Sequence, residues 1–154
     1  MNKPKTASYI EYNEGFRRFV CNDATGVPVK SPEGKLTVGI GLNLEDRGLT
    51  ILEARYIMNN IIDEINSELP RRLIIYNKLD DVRQAALIDM AYCMGLDRLI
   101  DFNKTFNYLR AKDFKNASVE IMRSLWAEKQ TGRASRDSYM IETGEWPVGI
   151  GLTS

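Results

Sequence analysis

The 154-residue chain contains no histidine, which removes several common catalytic designs at once. Ser-His-Asp and Cys-His triads are excluded, and so are histidine general bases and histidine metal ligands. Acid–base chemistry near neutral pH must therefore come from carboxylates, Lys, Tyr or Cys in environments that shift their pKa values.

Cysteine is also scarce. Cys21 and Cys93 are too few and too far apart to indicate a disulfide framework or a metal site, which favours a reducing cytosol. The first eight residues are polar, and no apolar run approaches the length that spans a membrane. We therefore expect neither an export signal nor a stable membrane association.

Net charge is absent as well, because 21 Lys and Arg residues balance 21 Asp and Glu residues. This balance gives no indication of nucleic-acid binding, and we expect no nucleic-acid partner. The hydrophobic content of 44% is ordinary for a globular chain and suffices for a core. A length of 154 residues suits one compact domain, or two small lobes that share one long helix.

Helical periodicity dominates the chain. Thr50 and Glu53 form a capping box that opens a long helix, which Pro70 is expected to stop near Leu69. Asp80 or Asp81 should cap the next helix, whose nearly all-round apolar pattern predicts a buried centre and which Gly95 should end. Further helices are predicted near residues 8–14, 104–111, 114–123 and 133–142, with a brief turn near 125–129.

Residues 35–42 alternate strictly in polarity, which predicts a β-strand. Thr37, Gly39 and Gly41 would share one face, and apolar residues the other. Glycine weakens a strand and often marks a close approach to its backbone. We therefore expect Thr37 to project from a wall that the two glycines leave open to a ligand.

Glu14 is the first candidate catalytic group. It stands where Gly15 should end the first helix, and the helix dipole at that end disfavours a negative charge. A general acid must carry its proton, so this position suits one. The alternative is an exposed helical Glu that pairs with Arg18.

Asp23 is the second candidate, as the other carboxylate of a glycosidase pair. One carboxyl of such a pair protonates the leaving oxygen, and the other supports water or the developing positive charge. Thr37 could help to position that water. Alternatively, Asp23 is a turn residue that bonds to its own backbone and Thr37 is an ordinary strand residue.

Together these motifs resemble the phage-type lysozymes of glycoside hydrolase family 24, typified by the T-even phage lysozyme. The similarity extends from about Tyr9 to Trp146 and keeps the order of the motifs. They are Glu14 to Arg17, Asp23, Gly34 to Gly41, Val82 to Met90, Met94-Gly95, Phe102 to Thr105, Ser124 to Trp126, Gln130 to Ala134 and Thr143 to Trp146.

The resemblance implies an α+β, mainly α, lysozyme-like fold within a single catalytic domain. A small β-hairpin lobe, near residues 8–49, and a helical lobe, near 70–146, would be joined by the helix at 50–69. The implied reaction is hydrolysis of the β-1,4 bond between N-acetylmuramic acid and N-acetylglucosamine in peptidoglycan, without metal or cofactor.

The resemblance also implies residue roles. Glu14 would be the general acid, and Asp23 and Thr37 would hold the attacking water, giving inversion at the anomeric carbon. Substrate would contact Gly39, Gly41, Asn43, Tyr92 and Thr105. Arg133 matches an arginine that pairs with the catalytic Glu.

One longer segment and three replaced residues distinguish this site from that of the family. The segment between Asp23 and Thr37 is longer than in the type member and carries residues 27–32 as an extra flap. Leu42 stands where a His often follows the last glycine, and Cys21 and Cys93 replace a hairpin Tyr and a cleft Gln.

The implied biology is that of an endolysin, a monomer that accumulates in the host bacterial cytoplasm and reaches the wall through a holin-type lesion. A lytic transglycosylase needs the Glu but no water, so it is the enzymatic alternative. The non-enzymatic alternative is a catalytically silent peptidoglycan-binding module.

Overall fold

A computed structural model describes residues 1–22 and 24–152. Over these residues the chain is mainly helical and contains a two-stranded antiparallel sheet, so the predicted α+β, mainly α, class is confirmed at that level. Within the same residues, no helix combines the length and the apolar character that crossing a membrane requires.

The described helices and strands follow the chain in this order. They are α1 (Lys3–Glu14), β1 (Thr37–Val38), β2 (Leu42–Asn43), α2 (Ile51–Arg72), a 3-10 helix (Ile74–Lys78), α3 (Asp81–Met94), α4 (Leu96–Ile100), α5 (Asn103–Arg110), α6 (Phe114–Met122), α7 (Leu125–Lys129) and α8 (Thr131–Thr143).

The chain divides into two compact units. The helical unit comprises Met1–Asn13 and the chain from Asn60 onward, and the hairpin unit comprises Glu14–Asn59. Helix α2 contributes residues 51–59 to the hairpin unit and 60–72 to the helical unit. The lobe boundaries and the joining role of this helix stay predictions.

Helix α3 carries the buried segment expected of it, since residues 84–91 are all buried. Helix α8 packs against α3 and α6, and α6 packs against α5. The core of the helical unit is lined by large apolar side chains that are almost fully buried: Tyr9, Ile10, Ile62, Leu69, Tyr76, Leu87, Ile88, Met90, Leu99, Leu109, Ile121 and Met140.

Several predicted helix ends are confirmed. The Asp80 carboxylate accepts hydrogen bonds from the Val82 and Arg83 amides at the start of α3, and Gly95 ends that helix. The capping box of α2 is also present. The Thr50 amide donates to Glu53 at 2.9 Å, and the Glu53 amide donates to the Thr50 hydroxyl at 3.3 Å.

The prediction that Pro70 stops α2 is wrong, because the helix continues to Arg72. A proline removes its own N–H from the helical hydrogen bonds and crowds the carbonyl four residues earlier, but the amides of the residues that follow it can still donate. The Leu73 amide still donates to the Leu69 carbonyl at 2.7 Å, so the last turn survives.

Helix α1 begins earlier than predicted, at Lys3. The Asn2 side chain accepts a hydrogen bond from the Lys5 amide at 3.2 Å, as an N-terminal cap does. Pro4 lies in the first turn, where its missing N–H costs little. The 3-10 helix and α4 were not predicted, because each is a short segment without a full helical period.

The prediction of a continuous strand over residues 35–42 is wrong. A turn at residues 39–41 divides it into β1 and β2. Gly39 and Gly41 have φ angles of 59° and 72°, in the left-handed region that favours glycine in hairpin turns. The two glycines are therefore needed for the backbone conformation of the turn. The alternating polarity of residues 39–41 reflects the turn sequence Gly-Ile-Gly and not a strand.

A matched pair of alanine substitutions should separate backbone strain from steric overlap in the hairpin unit. Gly39 and Gly48 both have positive φ, but only at Gly48 would a Cβ meet a neighbour, the Arg18 carbonyl oxygen at 2.2 Å. We expect Gly39→Ala to cost about 1–2 kcal/mol, the usual left-handed penalty. Gly48→Ala should cost about 1–3 kcal/mol more through overpacking.

Urea unfolding followed by circular dichroism measures both free energies. Equal losses of stability in the two variants would contradict the close approach of residue 48 to the Arg18 backbone.

Candidate active site

Glu14 is the last residue of α1, as predicted, and its side chain is exposed. The chain then leaves the helix through Gly15 into an irregular segment.

The segment after Glu14 forms a small loop held by backbone hydrogen bonds. The Asn22 amide donates to the Val27 carbonyl at 2.9 Å, and the Val29 amide donates to the Val20 carbonyl at 2.9 Å. The Asn22 side chain accepts from the Ala24 amide at 3.0 Å. Asp23, the predicted second carboxylate, lies outside the described residues, and its role stays a prediction.

Thr37 and Asn43 lie directly opposite each other in the hairpin. Side chains at opposite positions of antiparallel strands project from the same face. The structure therefore brings these two predicted site residues together, and Gly39 and Gly41 lie in the turn that connects their strands.

The Asn43 side chain also has a structural task. Its oxygen accepts hydrogen bonds from the Glu45 and Asp46 amides at 3.0 and 2.9 Å, and its nitrogen donates to the Asp46 carboxylate at 3.0 Å. Asn43 therefore fixes the turn that follows β2.

Glu45 is a residue that the sequence reasoning missed. One oxygen of its carboxylate accepts hydrogen bonds from the Ser31 amide at 2.7 Å and the Leu36 amide at 3.0 Å. Its side chain is only 2% exposed, and Lys35 lies 3.8 Å away. Glu45 thus ties both ends of the segment 31–36, the part of the longer connection that leads into Thr37.

These hydrogen bonds act on the charge state of Glu45. The Ser31 amide, with help from the Leu36 amide and Lys35, holds the pKa of Glu45 below its usual range. A carboxyl with a lowered pKa stabilises the fold above its ordinary pKa, and this stabilisation is lost as the pH falls through the lowered value. No local motif signalled this role.

Arg133 is buried in the helical unit against Asp89. Its Nε donates to one Asp89 carboxylate oxygen at 2.7 Å, and its Nη2 donates to the other at 2.8 Å. The Arg133 side chain is 6% exposed and that of Asp89 is 0% exposed. The planar guanidinium therefore engages both carboxylate oxygens, the strongest geometry for such a pair.

Asn13, in the last turn of α1, joins this pair to a second arginine. Its side-chain nitrogen donates to Asp89 at 3.1 Å, and its oxygen accepts from Arg136 at 2.6 and 3.1 Å. Arg136 also lies over the Tyr12 ring, 5.3 Å from its centroid. The turn that precedes Glu14 is thus anchored to α3 and α8.

Tyr9 and Asp137 complete the buried network. The Tyr9 hydroxyl donates to Asp137 at 2.8 Å. Burial, followed by the charges of Asp137 and Asp89, raises the pKa of Tyr9 above its usual range, so Tyr9 acts as a neutral donor. Burial and the Asp89 carboxylate also raise the pKa of Asp137 well above its usual range.

This network was not predicted, apart from Arg133. A signal was present, because Asp89 interrupts the apolar pattern of α3 and charged residues are rarely fully buried unless paired. The pairing of Arg133 with Glu14, the predicted general acid, stays a prediction.

Thr105 and Tyr92 belong to α5 and α3. Thr105 is buried and lines a cavity of about 450 Å³ together with Asp101, Phe102, Asn103, Lys104, Glu120, Arg123 and Ser124. Tyr92 is half-buried near the end of α3. Their substrate-binding roles stay predictions.

Cys93 has a defined contact. Its sulfur accepts a hydrogen bond from the Trp126 indole nitrogen at 3.4 Å. Trp126 borders a cavity of about 400 Å³ lined also by Met94, Arg98, Phe102, Ser124, Leu125 and Lys129. Cys93 thus holds the orientation of an aromatic ring at a cavity wall.

Across residues 1–22 and 24–152, no group of three or more His, Cys, Asp or Glu side chains could hold a metal ion.

Comparison with known proteins relates about half of this chain to the T4-type lysozymes. The relatives are probable T4-type lysozymes 1 and 2 of Dictyostelium discoideum. The first is 31% identical over 75 residues, 49% of this chain and 44% of that protein. The second is 33% identical over 70 residues, 46% of this chain and 41% of that protein.

A further relative is the pre-baseplate central spike protein Gp5 of Enterobacteria phage T4, 34% identical over 70 residues, 46% of this chain and 12% of that protein. The matches span less than half of each relative. No protein-family model matches the chain. The resemblance to the T4-type lysozymes is thus confirmed over about half of the chain.

Neutralising Glu45 should loosen the segment that leads into Thr37. In Glu45→Gln, we expect the Ser31 and Leu36 amides to exchange about tenfold faster, because hydrogen bonds to a charged acceptor are stronger than those to a neutral one. Acidifying the wild type below the ordinary Glu pKa of about 4.3 should progressively remove the same protection.

Amide hydrogen exchange followed by NMR measures this effect. Glu33→Gln is the matched control, since the Glu33 carboxylate accepts no hydrogen bond from the described part of the chain. Unchanged exchange in Glu45→Gln would refute the anchoring role.

Proposed function

We propose that the chain is a lysozyme-type glycoside hydrolase, a muramidase that cleaves the β-1,4 bond between N-acetylmuramic acid and N-acetylglucosamine in peptidoglycan. The similarity to two T4-type lysozymes carries this proposal. Exposed Glu14 at the end of α1 and the hairpin that pairs Thr37 with Asn43 support it.

In the proposed reaction, the Glu14 carboxyl donates its proton to the glycosidic oxygen as the bond to the leaving sugar breaks. A water molecule attacks the anomeric carbon from the opposite face, which inverts its configuration. Asp23 takes the proton of this water, and the Thr37 hydroxyl orients it by a hydrogen bond. Inverting enzymes place their two carboxyls about 6.5–9.5 Å apart to admit the water.

The hairpin unit supports this role for Thr37. Its side chain is exposed and shares a face with Asn43, whose amide is held by the turn at residues 43–46. Glu45 fixes the approach to β1. A catalytic hydroxyl gains from such support, because a small displacement of a positioned group lowers the rate strongly.

The proposed biological role is that of an endolysin that lyses a host bacterium. The enzyme would act as a monomer without metal or cofactor. It would accumulate in the host cytoplasm and reach peptidoglycan through a membrane lesion made by a holin, without binding nucleic acid.

Glu14→Gln should abolish lysis while the fold persists, because the amide cannot donate the required proton. The expected loss of rate is about 10²–10⁴-fold, the usual contribution of general acid catalysis. Turbidity of outer-membrane-permeabilised Gram-negative cells measures the rate. Glu11→Gln, an acid of the same helix to which no catalytic role is assigned, is the control.

A Glu14→Gln variant that retains a tenth of the wild-type rate would exclude Glu14 as the acid. A wild-type protein that binds purified peptidoglycan without cleaving it would instead indicate a silent binding module.

Product analysis tests the roles of Asp23 and Thr37. Hydrolysis should leave a reducing muramic end by mass spectrometry, with the inverted anomer seen first by proton NMR. Asp23→Ala should slow this hydrolysis by at least about 10²-fold if Asp23 acts as the base. A 1,6-anhydro product would identify a lytic transglycosylase, which uses no attacking water.

A further inference from the structure

The side-chain amide of Asn13 is hydrogen-bonded at both of its polar atoms. Its nitrogen donates to Asp89 Oδ1 at 3.1 Å, and its oxygen accepts from Nη2 and Nε of Arg136 at 2.6 and 3.1 Å. A guanidinium only donates hydrogen bonds and a carboxylate only accepts them. The amide therefore has a single favourable orientation, because a flipped group would set its nitrogen against the guanidinium and its oxygen against the carboxylate.

The partner of the Asn13 nitrogen is a buried side chain of α3. Asp89 is fully buried, and its two carboxylate oxygens also accept from Arg133 at 2.7 and 2.8 Å. Oδ1 thus receives hydrogen bonds from both Arg133 and Asn13. A buried carboxylate oxygen needs such donors in place of water. Asn13 therefore ties α1 to a well-packed point of α3.

The partner of the Asn13 oxygen lies on α8. Arg136 is half-buried, and its guanidinium also lies over the Tyr12 ring, 5.3 Å from the centroid. Within the part of the chain that the structure describes, Arg136 donates to the neutral Asn13 amide and forms an ion pair with no carboxylate. Hydrogen bonds from a charged donor are stronger than those between neutral groups. The contact with Arg136 is therefore a strong one for a neutral side chain.

One turn earlier, a second contact holds the same face of α1. The Tyr9 hydroxyl donates to Asp137 of α8 at 2.8 Å. Residues four apart lie on the same face of a helix, so Tyr9 and Asn13 share one. Two contacts on one face restrict both the rotation of α1 about its axis and its movement along that axis. Glu14 directly follows Asn13 as the last residue of this helix, so the same contacts hold its backbone.

We propose that Asn13 is a positioning residue for Glu14, and that Arg136 acts through it. The amide ties the last turn of α1 to α3 and α8, and so holds the backbone from which the Glu14 side chain projects. This inference rests on the proposed function, since it takes Glu14 to be the general acid. A displacement of about 1 Å in a positioned group can cost about 10²-fold in rate. Loosening this turn should therefore produce a measurable loss of rate.

Asn13→Leu removes both hydrogen bonds and nearly keeps the side-chain volume. We expect the backbone amides of residues 12–14 to exchange with solvent about tenfold faster, because the last turn can then open locally. In the same variant, kcat for purified peptidoglycan should fall at least about tenfold with KM within about twofold of the wild type. This split is expected because the loss concerns the placement of the acid and not the binding of the glycan.

Asn66→Leu is the matched control for lost stability. Asn66 is half-buried in the same unit and accepts from the Tyr76 hydroxyl at 2.7 Å, a hydrogen bond that does not involve α1. We expect its kcat to stay within about twofold of the wild type. Urea unfolding followed by circular dichroism gives the folded fraction by which each rate is divided. Equal losses of kcat in the two variants, or an unchanged kcat in Asn13→Leu, would overturn the proposal.

Arg136 provides a test that does not require Asn13→Leu to fold. Arg136→Met should lower kcat in the same way, and Arg136→Lys should recover most of the loss because it keeps a cationic donor. In the double variant with Asn13→Leu, the two losses should not multiply, since both substitutions break the same link. Losses that multiply, or an unchanged kcat in Arg136→Met, would refute action through Asn13.

Hydrogen exchange separates this inference from the proposed function, because it requires no activity. An inactive wild type would refute the proposed function, together with the role of Asn13 in it, even if exchange of residues 12–14 became faster in Asn13→Leu. An active wild type whose exchange at these residues is unchanged in Asn13→Leu would refute the positioning role alone.

Discussion

The ion pair between Arg133 and Asp89 is the interaction on which the helical unit depends most. The two side chains are almost completely removed from water and joined by two short hydrogen bonds. Removing one partner of such a pair leaves an uncompensated buried charge, at a cost of about 3–5 kcal/mol. Because a domain is stable by only about 5–15 kcal/mol, breaking this pair would remove a large part of the stability of the helical unit.

The sequence predicted those features that depend on a few neighbouring residues. The capping box at Thr50 and Glu53 and the cap at Asp80 were confirmed, because each combines a side-chain acceptor with amides two or three residues away. The motif that ends at Glu14 was likewise local. These signals needed no knowledge of the tertiary structure.

Other features escaped prediction for identifiable reasons. Alternating polarity at residues 35–42 suits a strand, but positive φ angles at Gly39 and Gly41 make it a turn. Pro70 does not end its helix, which continues for two further residues to Arg72. Some residues have hydrogen-bond partners that are distant in sequence, namely Glu45, Asn13 and Asp137. Their contacts therefore cannot be inferred from neighbouring residues. The candidate site residues of the hairpin unit were named from local motifs, and their roles stay predictions. For the network around Arg133, the sequence offered only one signal, the charged Asp89 within an apolar helix.

The position of these partners along the chain also affects how the protein folds. Tyr9 donates to Asp137, which lies 128 residues later in the chain. Asn13 accepts from Arg136, at a separation of 123 residues. Contacts of such long sequence separation form slowly, since a large loop must close before they contribute. On the ribosome, α1 emerges before α8, so it cannot meet Asp137 or Arg136 until α8 has been synthesised. Helix α1 is therefore expected to be among the last parts of the helical unit to pack. Asp89 cannot form its ion pair with Arg133 until α8 is present.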